Sequence, residues 1–426
     1  MATKTKNRES SWEQIFEKYH ILDEVEKNWI YEISSDTIKE FWEPRLMTKY
    51  DHYEQLPKIF RENHLSILPN RNWSYLIWPF STHQEIDYWD IPLRKINHRS
   101  DLQSLKPDNL FSEAVSLNYA LATWMIKDLV WEVCELTVSW RMKSSDFKFN
   151  ISNPISWDDR EIEVHNAQIE IDWWYESKSK LILVEAKKWK CDDFIIRQLY
   201  YPYRLRKGKV NKEVVPVFMT ESNWVFSFFI FKFEDENNYN SIKLVKQVNY
   251  IVDFKPITEK DVNSLLKNTK TVKEPEVPFP QANDFEKCIN LLEFLENWEK
   301  TKEEIAIEYS FDERQSDYYK NADRYLWLVE NSWKWVMKLT KLWKEIVKLP
   351  RKDRNLKLIE LIFSHKIFKE IYHKFTKEKS VKKEDVVKIM KESNLYKVNS
   401  NKTFNRRAST ITWWCKWIKK TLNEEK

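Results

Sequence analysis

The sequence contains one glycine, Gly208, in 426 residues. Ordinary usage of roughly 7% predicts about 30 in a chain of this length. A near-absence of glycine leaves tight turns without the residue best suited to positive φ. Cysteine is scarce as well. Cys134, Cys191, Cys288 and Cys415 lie far apart, with no C-x-x-C pair and no histidine at ligand spacing. That excludes a standard zinc site and fits a reducing, cytoplasmic setting. Residues 1–9 hold no apolar h-region, so no signal peptide is expected. The longest aromatic run, 226–233, is far too short to span a bilayer. A net charge of only +5 excludes a chain that is basic all over. Any nucleic-acid footprint must come from local clusters of lysine and arginine.

Tryptophan is what the sequence has in excess: there are 22. Many stand where glycine belongs. Asn28-Trp29, Asn72-Trp73, Asn223-Trp224 and Asn297-Trp298 occupy what would otherwise read as Asn-Gly turns. Asp172-Trp173-Trp174 and Ser332-Trp333-Lys334-Trp335 read as Asp-Gly-Gly and Ser-Gly-Lys-Gly. Our hypothesis is one of translation: some bacterial lineages read the codon UGA as glycine, and this sequence shows tryptophan there. Trp12, Trp414 and Trp417 sit in amphipathic helical contexts and read as authentic. Peptide mass spectrometry of the native protein that finds tryptophan at 173 and 174 would contradict the hypothesis.

At this length the chain should divide into two or three domains. The expected division is a mixed N-terminal region 1–105, a sheet-bearing domain 106–255, a proline-rich linker 256–282, a helical unit 283–375 and a final unit 376–426. Apolar periodicity predicts helices over 11–27, 112–132 and 193–204. Strands are expected at 75–77, 146–151, 167–171, 181–185, 214–220, 225–233 and 241–248. A sheet with one helix before it and one inside it suggests an α/β or α+β sandwich.

One constellation carries chemistry. Gln168 to Asp172 alternates polar and apolar residues and ends in an acid, and the apolar run Leu181 to Val184 delivers Glu185-Ala186-Lys187. Positions i and i+2 of a strand share a face, so Glu185 and Lys187 should lie together. A hairpin would bring Asp172 close. Two carboxylates can hold Mg²⁺, which prefers oxygen ligands and retains waters, and a lysine beside them can stabilise developing negative charge. Glu-x-Lys alone is common on solvated surfaces; the upstream Asp, the apolar strand and the polar helix that follows raise its weight. That helix could place Gln198 near the site.

The pattern Asp172…Glu185-Ala186-Lys187 resembles that of the PD-(D/E)XK nuclease superfamily. The stretch 113–250 looks like a group of type II restriction endonucleases within it. The pieces that carry the likeness are Phe111-Ser112-Glu113-Ala114, Ser139-Trp140-Arg141, Gln168 to Glu176 and Phe194 to Arg204. The resemblance implies a restriction-endonuclease-like sandwich with a central mixed sheet, followed by an all-α or winged-helix C-terminal region. It implies that Asp172 and Glu185 bind Mg²⁺, that Lys187 is the catalytic lysine and that Glu113 is an accessory acid. The reaction would be hydrolysis of phosphodiester bonds in double-stranded DNA at a specific sequence. A companion DNA methyltransferase is the implied genetic partner, and cutting both strands makes a homodimer on DNA the expected assembly. The alternatives are a repair or mobile-element nuclease of the same fold, and a catalytically inactive DNA-binding regulator.

In the C-terminal half, Thr301-Lys302-Glu303-Glu304 is a capping box for a helix through Tyr309, and a second helix is expected over 313–328. Two helices joined by a short turn suggest helix-turn-helix geometry. Arg314, Gln315, Tyr318 and Lys320 on the second helix could reach bases and phosphates. The segment 329–340 would then be a wing, and Tyr325-Leu326-Trp327-Leu328 adds a likeness to winged-helix modules. A packing helix pair with a solvated face is the competing reading. Farther on, Arg406, Arg407, Thr410 and Lys416, at and beyond an expected helix N-terminus, suit phosphate contacts.

Overall fold

In a computed structural model of the chain, the described residues are 7–110, 112–138, 142–169, 172–253, 255–296, 313–331, 336–378, 381–393 and 395–423. Seven strands form the central sheet: β1 Leu93–Ile96, β2 Glu135–Val138, β3 Trp173–Glu176, β4 Lys180–Lys187, β5 Glu213–Ser222, β6 Val225–Phe233 and β7 Ile242–Val252. Their spatial order is β1-β7-β6-β5-β4-β3-β2. β4 runs parallel to β5, and β7 to β1; the other neighbours are antiparallel. A parallel pair needs a crossover, and the helix Arg197–Arg206 lies in the one between β4 and β5. The chain is mixed α/β, with a central mixed sheet and a helical C-terminal region.

The composition of β4 explains its central place. Leu181 and Leu183 enter one hydrophobic cluster with Phe194, Leu199 and Tyr200. Ile182, Val184 and Ala186 enter another, with Leu117, Ala120 and Ile126. Period-two alternation produces this division, and each fully buried Leu or Ile contributes roughly 1.5–3 kcal/mol. A strand covered on both faces gains nothing from charge. Yet β4 ends on Glu185 and Lys187, and both are buried.

Residues 7–78 add short helices and a three-stranded antiparallel sheet in which Ser74–Trp78 lies between Tyr31–Ser34 and Ser66–Arg71. Their core is continuous with the Leu181 face of the sheet. β1 comes from the segment expected to belong to the N-terminal region, but it forms an edge of the central sheet.

Several local expectations need correction. The helix expected over 112–132 is two, Glu113–Ala122 and Met125–Val130, divided at Trp124 with φ 67°. The helix over 11–27 likewise divides, at His20 with φ 48°. The strand expected at 167–171 is seen as Gln168–Ile169, paired with Met142–Lys143 outside the central sheet. Trp173-Trp174 is not a turn, because both residues lie in β3 opposite Val184 and Leu183. The backbone there makes no demand for glycine. The segment 256–282 is not a bare linker: Glu259–Asn268 is a helix opened by a Thr258/Asp261 capping box. Its Val262, with Phe279 and Ala282, is buried in the C-terminal core.

Elsewhere the backbone does favour glycine. Among the described residues, Trp29, Trp73, Trp124, Trp131, Trp157, Trp224 and Trp327 have φ between 58° and 69°. The left-handed region costs an L-residue roughly 1–2 kcal/mol, and glycine escapes that cost. Trp29, Trp73 and Trp224 belong to Asn-Trp pairs singled out above; Trp298, Trp333 and Trp335 lie outside the described residues. Trp12, Trp414 and Trp417 are different. They are buried, and their indole N–H groups donate to the Met47 carbonyl (3.0 Å), the Ala282 carbonyl (2.8 Å) and Glu286 Oε1 (2.8 Å).

The C-terminal region gathers Phe285–Phe294, Arg351–Ser364, Lys366–Glu378, Lys383–Glu392 and Asn401–Asn423 around a separate hydrophobic cluster. Glu313–Tyr325 leads into a two-stranded antiparallel hairpin, Val329–Asn331 with Met337–Leu339, in the place expected of a wing. The helix expected over 301–309 lies outside the described residues. The four cysteines are buried and unpaired. Among the described residues, no helix is long and apolar enough to cross a membrane.

Candidate active site

Glu185 and Lys187 share one face of β4, and Lys187 Nζ lies 2.7 Å from Glu185 Oε1. Asp172, immediately before β3, accepts a hydrogen bond from the Ala186 backbone N–H at 2.9 Å. The hairpin of β3 and β4 thus brings the Asp beside the Glu-x-Lys strand. Gln198, in the first turn of Arg197–Arg206, donates through Nε2 to Glu185 Oε1. Glu113 opens the helix Glu113–Ala122, which Ser112 caps. Its carboxylate acts electrostatically on Lys187 and Asp172. The five residues expected to form a site are therefore brought together.

A sixth joins them that the sequence did not reveal. Asp51 Oδ2 is 3.4 Å from Lys187 Nζ, and Asp51 Oδ1 is 3.4 Å from Gln198 Nε2. Its loop is fixed against the strand Asp193–Ile195. Ile195 N–H donates to the Asp51 carbonyl (2.9 Å), and Tyr53 N–H donates to Asp193 Oδ2 (2.8 Å). His52 Nδ1 lies 3.0 Å from Asp193 Oδ1. Nothing local in Lys49-Tyr50-Asp51-His52 marks it in the sequence; only the tertiary contact does.

The electrostatics follow from four acids around one ammonium. Burial pushes the Glu185 carboxyl up to about 8, Asp172 adds to the rise, and Lys187 opposes it. Burial also raises Asp172 and Glu113 against the pull of Lys187. At Lys187 burial works against the charge, but Asp51, Glu185, Glu113 and Asp172 outweigh it and hold the ammonium well above its ordinary value. Asp51 goes the other way: burial opposes its charge, yet Lys187, Lys49, His52 and Arg197 together hold it well below the usual carboxylate range.

The donor set fits a hard divalent cation, since it is made of carboxylate oxygens in excess over their one ammonium. Gln198 Oε1 is also buried without a hydrogen-bond partner. The oxygens are nevertheless turned to protein groups. Among the described residues, no three His, Cys, Asp or Glu side chains are already gathered as a metal cage. A cation would have to draw Glu185 from Lys187 and Gln198. Two clefts, of about 750 Å³ and 740 Å³, share Lys190, but Asp172, Glu185 and Lys187 line neither. Neither cleft is therefore the site itself.

The residues expected to contact DNA are less uniform. Arg314 and Gln315 have side chains outside the described residues. Tyr318 is half-buried, and Lys320 is buried, so it does not stand on an exposed face as expected. Arg406 is exposed and Arg407 half-buried. Neither marks a helix N-terminus, because the helix begins a turn earlier, at Asn401. Thr410 is fully buried and its hydroxyl donates to Asn283 Oδ1 at 2.9 Å, which makes it a packing residue. Lys416 is exposed, 4.3 Å above the Trp413 ring.

Three family models match the chain, each described as a domain of unknown function: DUF6996 over residues 9–77, DUF6997 over 78–251 and DUF7226 over 287–423. No curated protein and no solved structure matches it. Asp51 falls within the first matched segment, and Glu113, Asp172, Glu185, Lys187 and Gln198 fall within the second. The site therefore draws on two of these segments.

Proposed function

We propose that the protein is a metal-dependent endodeoxyribonuclease of the type II restriction class, cutting double-stranded DNA by phosphodiester hydrolysis. One observation carries the reading: Asp172, Glu185 and Lys187 meet at the end of the apolar, buried run Leu181 to Val184. Moving a charge out of water costs several kcal/mol per ion, so such a group at that place argues for chemistry over packing. The mixed sheet, with a helix before it and a helix in its crossover, agrees with the sandwich implied by the PD-(D/E)XK resemblance. The C-terminal helix and hairpin agree with a winged-helix recognition module, and the cytoplasm is the proposed setting.

In this reading Asp172 and Glu185 hold Mg²⁺. The bound ion supplies Lewis acidity toward the phosphate and a water of lowered pKa. The protein's own groups do the rest. The Ala186 N–H fixes the Asp172 carboxylate, and the Gln198 amide orients Glu185. The Lys187 ammonium, kept charged by the acids around it, stabilises negative charge as it develops on the phosphate oxygens. Burial excludes bulk water and strengthens each of these interactions.

The test is digestion of mixed DNA with Mg²⁺ by the full chain carrying glycine at the positive-φ tryptophans, with the ends sequenced. Defined ends that vanish in Glu185→Ala support the reading. Binding without cleavage in either Mg²⁺ or Mn²⁺ defeats it.

A further inference from the structure

The sheet face that bears Glu185 and Lys187 changes character as it crosses toward β7. Register sets Lys187 opposite Thr220, Thr220 opposite Ser227, and Ser227 opposite Asn249. The next row on this face sets Glu185, Phe218, Phe229 and Gln247 side by side. Thr220, Ser227, Gln247 and Asn249 are all buried. Elsewhere this face is filled by Phe218, Phe229 and Phe231. These groups are held by protein partners: Tyr88 Oη donates to Thr220 Oγ1 (3.5 Å), the Trp89 N–H to Gln247 Oε1 (2.8 Å) and Gln247 Nε2 to Asn249 Oδ1 (3.0 Å), which gives the sheet a fixed polar floor here.

At its far end the row becomes the floor of the 740 Å³ cleft, where Ser227, Gln247 and Asn249 line it. The walls are basic. Lys190 comes from the loop after β4, Arg351 from the start of Arg351–Ser364, and Lys416, Lys419 and Lys420 from Asn401–Asn423. Arg351 is anchored by its Nε bond to the Asn223 carbonyl (2.8 Å), and Lys190 lies 5.2 Å over the Tyr88 ring. The acids in the lining are Asp90 and Glu286, and Glu286 already accepts the Trp417 indole N–H. Three separate stretches of chain therefore bring cations to one place.

Neighbouring strands lie about 4.8 Å apart, so three steps place Asn249 about 14 Å from Lys187. Measured along the helix axis, one strand of B-DNA places about four phosphates in that distance, at roughly 3.4 Å of rise each. We propose that this cleft is the track along which one strand of the substrate nucleic acid leaves the acids. The lysines take its phosphates, and Ser227, Gln247 and Asn249 on the cleft floor face its sugar–phosphate edge. The inference rests on the nuclease reading for where the strand leads.

The test is binding of a fluorescent DNA duplex to the full chain in Ca²⁺, followed by anisotropy across a salt series. Lys416, Lys419 and Lys420 are exposed, so the Lys416→Glu, Lys419→Glu, Lys420→Glu variant should keep its fold, which a thermal melt checks. Its Kd should rise roughly tenfold or more, and the slope of log Kd against log salt should fall by about 2–3. Lys341→Glu with Lys366→Glu, exposed lysines on other helices, serves as the control and should change neither quantity comparably. A triple variant with the wild-type Kd and slope overturns the track, as does one that loses no more than the control. Tripolyphosphate bound tightly by wild type and not by the triple variant, with DNA binding unaffected, means a small-anion site and also overturns it. If wild type never cuts with Mg²⁺ but the triple variant loses DNA, the nuclease reading fails and the nucleic-acid cleft stands. If wild type cuts and the triple variant binds and cuts equally well, the cleft falls and the nuclease reading stands.

Discussion

Around β4, the acids Asp51, Glu113, Asp172 and Glu185 come from separate stretches of chain and enclose one buried ammonium. Along Asn401–Asn423, by contrast, Arg406, Lys416, Lys419 and Lys420 stand in solvent, spaced over several turns. The two regions use charge for different ends. Burying ions costs several kcal/mol each unless geometry compensates, so the first region commits its charges to fixed positions. Exposed cations contribute little to stability but act at a distance on a polyanion. Chemistry belongs where charges are fixed, and attraction where they are not.

That contrast can be broken most sharply at the acids. Asp172→Ala, Glu185→Ala and Lys187→Ala should each lower the cleavage rate by roughly 10²–10³-fold or more, with DNA affinity retained. Equal loss of binding would erase the distinction between the regions. Next come the tryptophans, read by denaturant midpoints. Trp12→Gly removes a buried, hydrogen-bonded ring and should cost about 3–5 kcal/mol. Trp157→Gly, at φ 63° and in solvent, should instead stabilise by about 1–2 kcal/mol. A destabilised Trp157→Gly protein would count against glycine there.

Smaller effects sharpen the comparison. Asp51→Asn keeps the shape of the side chain and should lower kcat by roughly tenfold to a hundredfold through a misplaced Lys187, with KM nearly unchanged. An unchanged kcat would make Asp51 a purely structural neighbour. Thr410→Val should cost about 1 kcal/mol of stability and leave DNA affinity intact, because the hydroxyl serves Asn283. A further effect is on pH dependence. With its carboxyl raised to about 8, Glu185 holds a proton that the unfolded chain releases at its ordinary, lower value. Its contribution to stability is therefore present below that ordinary value and lost as pH rises through about 8. Without divalent ions the melting temperature should fall across this window, and Glu185→Gln should flatten the fall.

The sequence made the strand-borne part of the site legible because one apolar run with period two places Glu185 and Lys187 without reference to the rest of the fold. Gln198 was within reach because its helix is the next one along the chain, although Asp193–Ile195, expected as its first turn, is a strand and the helix begins at Arg197. Asp172 was found for a partly mistaken reason: the residues after it form β3 and not a turn. Asp51 could not be found, since it depends on a loop fixed by His52 and Asp193 far away in sequence. In the helical half, polar residues occur all around Glu313–Tyr325 and Asn401–Asn423, so spacing alone did not reveal that Lys320 and Thr410 face inward. Helix boundaries were lost for a related reason. Trp124 occupies a left-handed position where glycine would have announced the break.

The central claim is that Asp172, Glu185 and Lys187 cut DNA with a divalent cation. The most direct measurement compares the full chain carrying glycine at the positive-φ tryptophans with its Glu185→Ala variant on plasmid DNA, in Mg²⁺ and in EDTA. The account predicts defined double-strand ends from the first protein in Mg²⁺ alone, and none from the variant, with both binding DNA. Cleavage that persists in the variant, or DNA binding with no cleavage by either protein, would contradict it.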